Sequence, residues 1–459
     1  MQIANTKPTE APGGYGDRRL VPVIMSLFFA FGFCTVLVDT LIPKLKALFA
    51  LSYAEVMLTQ FCFFAAYFII SIPAGWLLTR IGYLKGVTVG LVVMALGCLL
   101  FTPAAYLGLY PGFLLALFIL ASGVTTVQVA ANPLASQLGD PTKASSRLTL
   151  AQAFNSVATM IGPIFGSVLI LSHGVDAPDP KHVSAATLAA FRVKEAHVVQ
   201  APFIGIAVAL CCLAALCWVV RRWGPAAKPQ PLGSFGKLLI GNRRLALGVF
   251  AIFAYVGAEV SIGSNIINFL SLDTVLAPKL PGMTSALQQF LAARFHFGGA
   301  LDKAEVAGFM VSIYWGLAMV GRFIGSAVLR RAPPGAVLAV CAVGAGLLAT
   351  TAALSIGTLA AVTILAIGLF NSIMFPTIFT LAIEDLGEET PQASGLLCLA
   401  IVGGAVVPLL TGVAADHFGL PHALFVPVVC YLWIMTYGAL AYLGRITPTH
   451  AGATAASPA

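Results

Sequence analysis

Asp39 and Glu259 fall well inside long apolar segments of the chain, whereas its other acids sit in loops or at segment ends. Burial favours the neutral form of a carboxyl group, so an acid in such surroundings is a natural proton carrier. Seven amides recur in similar surroundings. Gln128 and Asn132 are four residues apart, and Gln152 and Asn155 are three apart with Thr159 one turn on. Asn265 and Asn268 are three apart, and Asn371 stands in a later segment. Residues three or four apart share one face of a helix. An amide both donates and accepts hydrogen bonds without carrying charge, which suits a neutral, hydroxyl-rich ligand. Phe33, Tyr255, Trp315 and Phe375 could stack on the apolar face of such a ligand, although packing accounts for most aromatic residues in so apolar a chain. Plainer readings stand beside these: an ion pair for each acid, such as Asp39 with Lys44, and a helix–helix clasp for each amide. Amides spread over four segments favour a shared cavity over four separate clasps.

The elements that must position these groups are set by composition. The chain has 459 residues, of which 59% are hydrophobic and 9% charged, with a mean hydropathy of +0.95. Soluble domains carry about 25% charged residues, so a water-facing surface is excluded. A soluble enzyme, a disordered chain and a nucleic-acid-binding domain are excluded with it. Apolar stretches bounded by charge or turn residues lie near 21–49, 54–79, 84–106, 109–137, 146–172 and 199–220. A second set lies near 245–271, 304–330, 335–354, 358–383, 392–415 and 421–444. Each is long enough for a membrane-spanning helix. The reading is all-α and integral to a membrane. A tail over 1–20 precedes a six-helix bundle over 21–220, and a basic linker over 221–244 leads to a second six-helix bundle over 245–444 and a tail over 445–459.

Lys and Arg favour the cytoplasmic side of a membrane. With both termini inside, 17 of the 25 Lys and Arg residues fall on that side, Arg80, Arg322, Arg330 and those of the linker among them. The loop holding Glu384, Asp385, Glu388 and Glu389 has no positive charge and runs against the pattern. Gly75-Trp-Leu-Leu-Thr-Arg80 closes the second span and Gly325-Ser-Ala-Val-Leu-Arg330 closes the eighth, a weak echo between halves. A small residue lets helices approach closely, and an Arg complements a helix C-terminus. Arg80, Arg322 and Arg330 are therefore gating candidates. All seven histidines are expected in loops or the tail, which leaves none in the membrane for proton relay or metal binding. The nine cysteines lie in apolar stretches without a paired spacing and read as free thiols. No metal site and no cofactor is expected, and an intramembrane enzyme or sensor lacks the nucleophile, base or metal it would need.

Several runs together resemble the fucose/glucose/galactose–proton symporter group of the major facilitator superfamily. They are Gln128-Val-Ala-Ala-Asn-Pro133, Arg147-Leu-Thr-Leu-Ala-Gln-Ala-Phe-Asn155, Val38-Asp39-Thr-Leu-Ile-Pro43, Tyr255-Val-Gly-Ala-Glu-Val260, Asn371-Ser-Ile-Met-Phe-Pro376 and Ala400-Ile-Val-Gly-Gly-Ala405. The resemblance implies twelve helices in two pseudo-symmetric bundles, alternating access, and sugar uptake driven by an ion gradient. It places Asp39 on the group's protonatable first-helix aspartate, and Gln152 and Asn155 on its fifth-helix sugar-binding amides. Two departures stand out. Gln128 occupies a position where fucose-type members have a glutamate, so the chain is closer to the glucose/galactose type. Thr79 precedes Arg80 where the superfamily's loop motif has an acid.

The expected function is import of a neutral hexose by proton symport across a bacterial inner membrane. Asp39 and Glu259 are expected to couple the proton, and Gln128, Asn132, Gln152, Asn155, Asn265, Asn268 and Asn371 to bind sugar. The expected partners are a small-molecule sugar and lipid, without nucleic acid, for a monomeric protein. Sodium coupling, import of L-fucose or N-acetylglucosamine, and proton-driven export are the alternatives.

Overall fold

A computed structural model describes residues 19–49, 53–107, 110–166, 185–224, 235–275 and 303–446; side chains are described over 19–36, 58–104, 110–162, 200–224, 235–275 and 310–446. Every expected span is helical where described. The first six spans are α1 (Leu20–Phe49), α2 (Tyr53–Ile81), α3 (Tyr83–Leu107), α4 (Tyr110–Gln137), α5 (Ala144–Gly166) and α6 (Ala185–Val219). A short α7 (Phe235–Gly241) lies in the linker and buries Leu238. The seventh to ninth spans are α8 (Arg243–Leu270), α9 (Lys303–Val328) and α10 (Pro334–Leu354). The tenth is broken into α11 (Gly357–Asn371) and α12 (Met374–Ile383), and the eleventh into α13 (Thr390–Leu399) and α14 (Gly403–Phe418). The twelfth comprises α15 (Leu420–Ala423) and α16 (Phe425–Tyr442).

One expectation is corrected. The segment 173–198 is expected as a loop, yet α6 begins at Ala185 and takes in His197. Ala, Leu, Arg, Lys and Glu dominate its first turns, and all are strong helix formers. Charge there marks the limit of the apolar span, not the end of the helix. The basic linker ends in the short helix α7. The acidic loop finds a cation after all: Glu384 pairs with Arg244 at the start of α8.

The helices pack in a repeated pattern. In the first half α1 lies on α5, α2 on α4, and α3 on both α4 and α6. In the second half α8 lies on α14, α9 on α11, and α10 on both α11 and α16. Numbered by span, each pairing recurs six spans later. Across the halves the second span meets the eleventh and the fifth meets the eighth, each contact being the other with the halves exchanged. That is the contact map of two related bundles about a pseudo-twofold axis.

Where the halves meet, the contacts lie toward the linker end of the molecule. Gly75 of α2 faces Gly395 of α13. A Cβ on Gly395 would stand 2.8 Å from the Ser71 carbonyl oxygen, and one on Gly75 would stand 3.0 Å from that of Pro391. Small residues are what permit this backbone-to-backbone approach. At the same end Arg147 of α5 donates to the carbonyls of Ala135, Ser136 and Asp140, and so closes the C-terminus of α4. Asp140 accepts from the Thr142 hydroxyl and N–H, which hold its carboxyl below the usual carboxylate range.

The core of the second half holds a polar clamp. The Asn371 Nδ2 donates to the Tyr314 hydroxyl at 3.0 Å, and the Tyr431 hydroxyl donates to Asn371 Oδ1 at 2.8 Å. All three side chains are buried. The clamp ties α9, α11 and α16. Asn371→Ala leaves two buried hydroxyls without that partner, which costs about 1–3 kcal/mol for each group. The expected outcome is a clearly lowered unfolding temperature in detergent, with a smaller loss in Tyr431→Phe. An unchanged unfolding temperature in Asn371→Ala would remove the clamp from the account of stability.

Candidate substrate site between the two halves

Three prolines shape the helices around the interface. A proline has no N–H, so it leaves the carbonyl four residues before it without a helical partner. Pro376 does this to Ser372, at the break between α11 and α12. The Arg322 Nε takes that carbonyl at 3.3 Å. Pro133 does it to Val129 in α4, and the Ser394 hydroxyl, arriving from α13 in the other half, donates to the freed oxygen at 2.7 Å. Pro408 lies inside α14 and does the same to Gly404.

Arg322 lies inside α9 and not at its end, and it joins the two halves. Besides Ser372 in its own half, its Nη1 donates to the Gln152 carbonyl at 3.3 Å and to the Ser156 hydroxyl, both on α5. It holds the turn of α5 that carries Gln152 and Asn155. The other gating candidates sit elsewhere. Arg80 is exposed and stacks over the Trp76 ring at 4.2 Å, and Arg330 is exposed at the end of α9.

Glu259 projects from α8 within electrostatic range of Arg322, Tyr255 and Tyr314. It forms no ion pair with Arg322. Tyr255, one turn away on the same helix, points its hydroxyl toward Glu259 without closing a hydrogen bond, and that hydroxyl is buried. The Tyr255 ring lies 6.4 Å from that of Phe375. Trp315 is 41% exposed, packs edge-on against Tyr314 and lies beside Gly263, one turn beyond Glu259 on α8. An acid, a phenol, a guanidinium and an indole therefore share one wall.

Across the interface from Arg322 lies α5. The Gln152 side-chain amide makes no hydrogen bond to a described residue. Asn155 donates through Nδ2 to the Phe28 carbonyl at 3.1 Å and lies against Gly32 of α1. Its amide is thus partly a helix clasp, with Oδ1 left over. Gln128 on α4 is partly exposed. Asn132, one turn further toward the linker end, is 0% exposed.

The expected amides do not converge on one point. Arg322 holds the turn of α5 that carries Gln152 and Asn155 and lies within electrostatic range of Glu259. Asn132 is closed off beneath α13. Asn371 has both ends of its amide engaged in the tyrosine clamp. Asn265 donates to the Ser261 carbonyl of its own helix, and Asn268 is exposed. Asp39 falls in α1, and its side chain lies outside the described residues. Ser156, Tyr314 and Ser394 were not singled out from the sequence. Isolated hydroxyls are common in apolar helices and carry no signal of their own, although Pro133 does announce that Val129 needs a donor.

The chain is similar to known proteins along nearly its whole length. Residues 24–401 match the Major Facilitator Superfamily. A glucose/galactose transporter of Brucella abortus is 47% identical over 90% of this chain and 91% of its own. The L-fucose-proton symporter of Escherichia coli is 32% identical over 95% of this chain and 97% of its own. The crystal structure of the transporter FucP in the outward conformation superposes with a TM-score of 0.80 at 30% identity, covering 92% of this chain and 98% of that one. With its paired bundles, its cross-half contacts and this similarity, the chain belongs to the Major Facilitator Superfamily.

Proposed function

We propose that the protein imports a neutral hexose of the glucose or galactose type by proton symport with alternating access. The observation that carries this reading is a pair of uncharged amides, Gln152 and Asn155, on the turn of α5 held by Arg322, with one acid, Glu259, near the same guanidinium, in a chain 47% identical to a glucose/galactose transporter. Amides supply both donors and acceptors to sugar hydroxyls, and Trp315 offers a face for the ring's C–H groups. Gln128, where fucose-type members carry a glutamate, favours glucose or galactose over L-fucose. The membrane is a bacterial inner membrane with both termini cytoplasmic, the orientation favoured by Lys and Arg.

In this mechanism the halves are closed at the linker end and sugar and proton enter from the other. Asp39 takes the proton, and Glu259 provides the second protonatable site. Neutralising an acid removes the cost of enclosing a bare charge when the outer side closes. The halves then part at the linker end, sugar leaves, and the proton follows.

Reconstituted vesicles test this. An inward acid gradient in sodium-free buffer is expected to drive accumulation of labelled galactose or glucose. Uptake that requires sodium and ignores the pH gradient would replace the proton with sodium. Asp39→Asn is expected to abolish gradient-driven accumulation and to spare exchange; full accumulation in that variant would remove Asp39 as the carrier. Gln152→Ala, which deletes an amide with no hydrogen-bond partner among the described residues, should raise the half-saturating sugar concentration about tenfold, the equivalent of about 1.4 kcal/mol. Asn155→Ala should weaken binding too, and also loosen α1 from α5. An unchanged half-saturating concentration in both variants would move the site off α5.

A further inference from the structure

Asn132 is a costly residue in its present position. Its side chain is 0% exposed, and neither Nδ2 nor Oδ1 has a hydrogen-bond partner. It faces the Cys398 thiol of α13 without closing a bond. A buried polar group left unpaired costs about 1–3 kcal/mol. Three residues before it stands the Val129 carbonyl, freed by Pro133 and held by Ser394 of α13. Thr377 on α12 is likewise buried with its hydroxyl unpartnered, and α12 packs against both α4 and α5. Gln128, Asn132 and Ser136 follow one another at four-residue steps, so they form one stripe on α4. That stripe runs from the partly exposed Gln128 toward the linker end.

We propose that Asn132, with the Val129 carbonyl and Thr377, forms a second site for a neutral polyhydroxylated ligand, exposed only when α13 moves off α4 and used by sugar on its way out at the linker end. This rests on the reading of the protein as a sugar transporter. In the present state Ser394 covers the site. Separation of the halves withdraws Ser394, leaving one carbonyl acceptor, one amide donor, one amide acceptor and one hydroxyl. Together they match the hydroxyls of a sugar and offer it no charge. The polar stripe gives the ligand a ladder of uncharged partners between the central site and the linker side. The groups that are unsatisfied while the gate is shut are the ones that meet the ligand when it opens.

The test compares galactose exchange from the two faces of the membrane, using right-side-out and inside-out vesicles. Asn132→Leu keeps the branched shape and the number of heavy atoms and removes both unsatisfied groups, so the fold is expected to hold. Its half-saturating galactose concentration should rise about tenfold from the linker side, the equivalent of about 1.4 kcal/mol. From the opposite face it should change less than about twofold. A tightening at the opposite face would instead mark a bias toward the present state, its size capped by the fraction of molecules already in that state, and that result would overturn the proposal. Thr377→Val should move the linker-side value in the same direction, and it stands in if Asn132→Leu does not fold. In a background with the native cysteines replaced, Asn132→Cys should react with an impermeant thiol reagent from the linker side only, and galactose should protect it. Labelling from the other face, or no protection, would overturn the site. Equal effects of the variants on both faces, with saturable galactose exchange in the wild type, would overturn this site and leave the proposed function standing. A wild type without saturable glucose or galactose exchange would overturn both.

Discussion

A guanidinium among apolar helices needs an acceptor wherever its N–H groups point, because no solvent there replaces a missing one. Arg322 finds acceptors on both sides of the interface, and much of the site follows from where they are. One is the Ser372 carbonyl, which is free only because Pro376 interrupts the tenth span. The others are the Gln152 carbonyl and the Ser156 hydroxyl, on consecutive turns of α5. The arrangement holds the amide-bearing turn of one half against the broken helix of the other. It also leaves Glu259 within the field of a cation that is already engaged. The acid of this wall is therefore neither neutralised by a fixed partner nor left without a nearby positive charge.

Among the described residues, hydroxyl groups make further cross-half hydrogen bonds. Ser145 and Thr380 are 2.6 Å apart, Ser394 reaches Val129, and Ser146 and Ser326 exchange hydrogen bonds, each hydroxyl donating to the other's carbonyl at 2.7 and 3.0 Å. A neutral hydrogen bond contributes about 0.5–1.5 kcal/mol net, so this set sums to a few kcal/mol. Breaking a buried ion pair by removing one partner costs about 3–5 kcal/mol on its own. A transporter that visits two states needs them within a few kcal/mol of each other. Hydroxyls meet that demand.

Helix positions were legible in the sequence because a lipid-facing helix must be apolar over its length, and charges or turn residues mark its ends. The same logic misread 185–198, where charge ended the apolar run but Ala, Leu, Lys and Glu carried the helix on. Site residues were legible by type and less so by placement. Glu259 stands out because an acid among apolar residues is rare, and it does face the interface. Asn371 stands out for the same reason, yet it serves the core, because Tyr314 and Tyr431 arrive from helices far away in sequence. Asn155 is divided between the two roles. A sequence shows which polar groups need partners; which partner reaches them depends on how helices from distant parts of the chain cross.

The contact between Gly75 and Gly395 limits how the halves can move. Two backbones touch there with no side chain between them, so the surfaces have no clearance. Any shear along the helix axes would drive Ser71 or Pro391 into the neighbouring turn. The reciprocal pair of Ser146 and Ser326 likewise satisfies both carbonyls in a single register. Motion perpendicular to the interface meets neither obstacle. The geometry therefore opposes sliding of the halves along one another, whereas lifting them apart at the linker end meets neither obstacle.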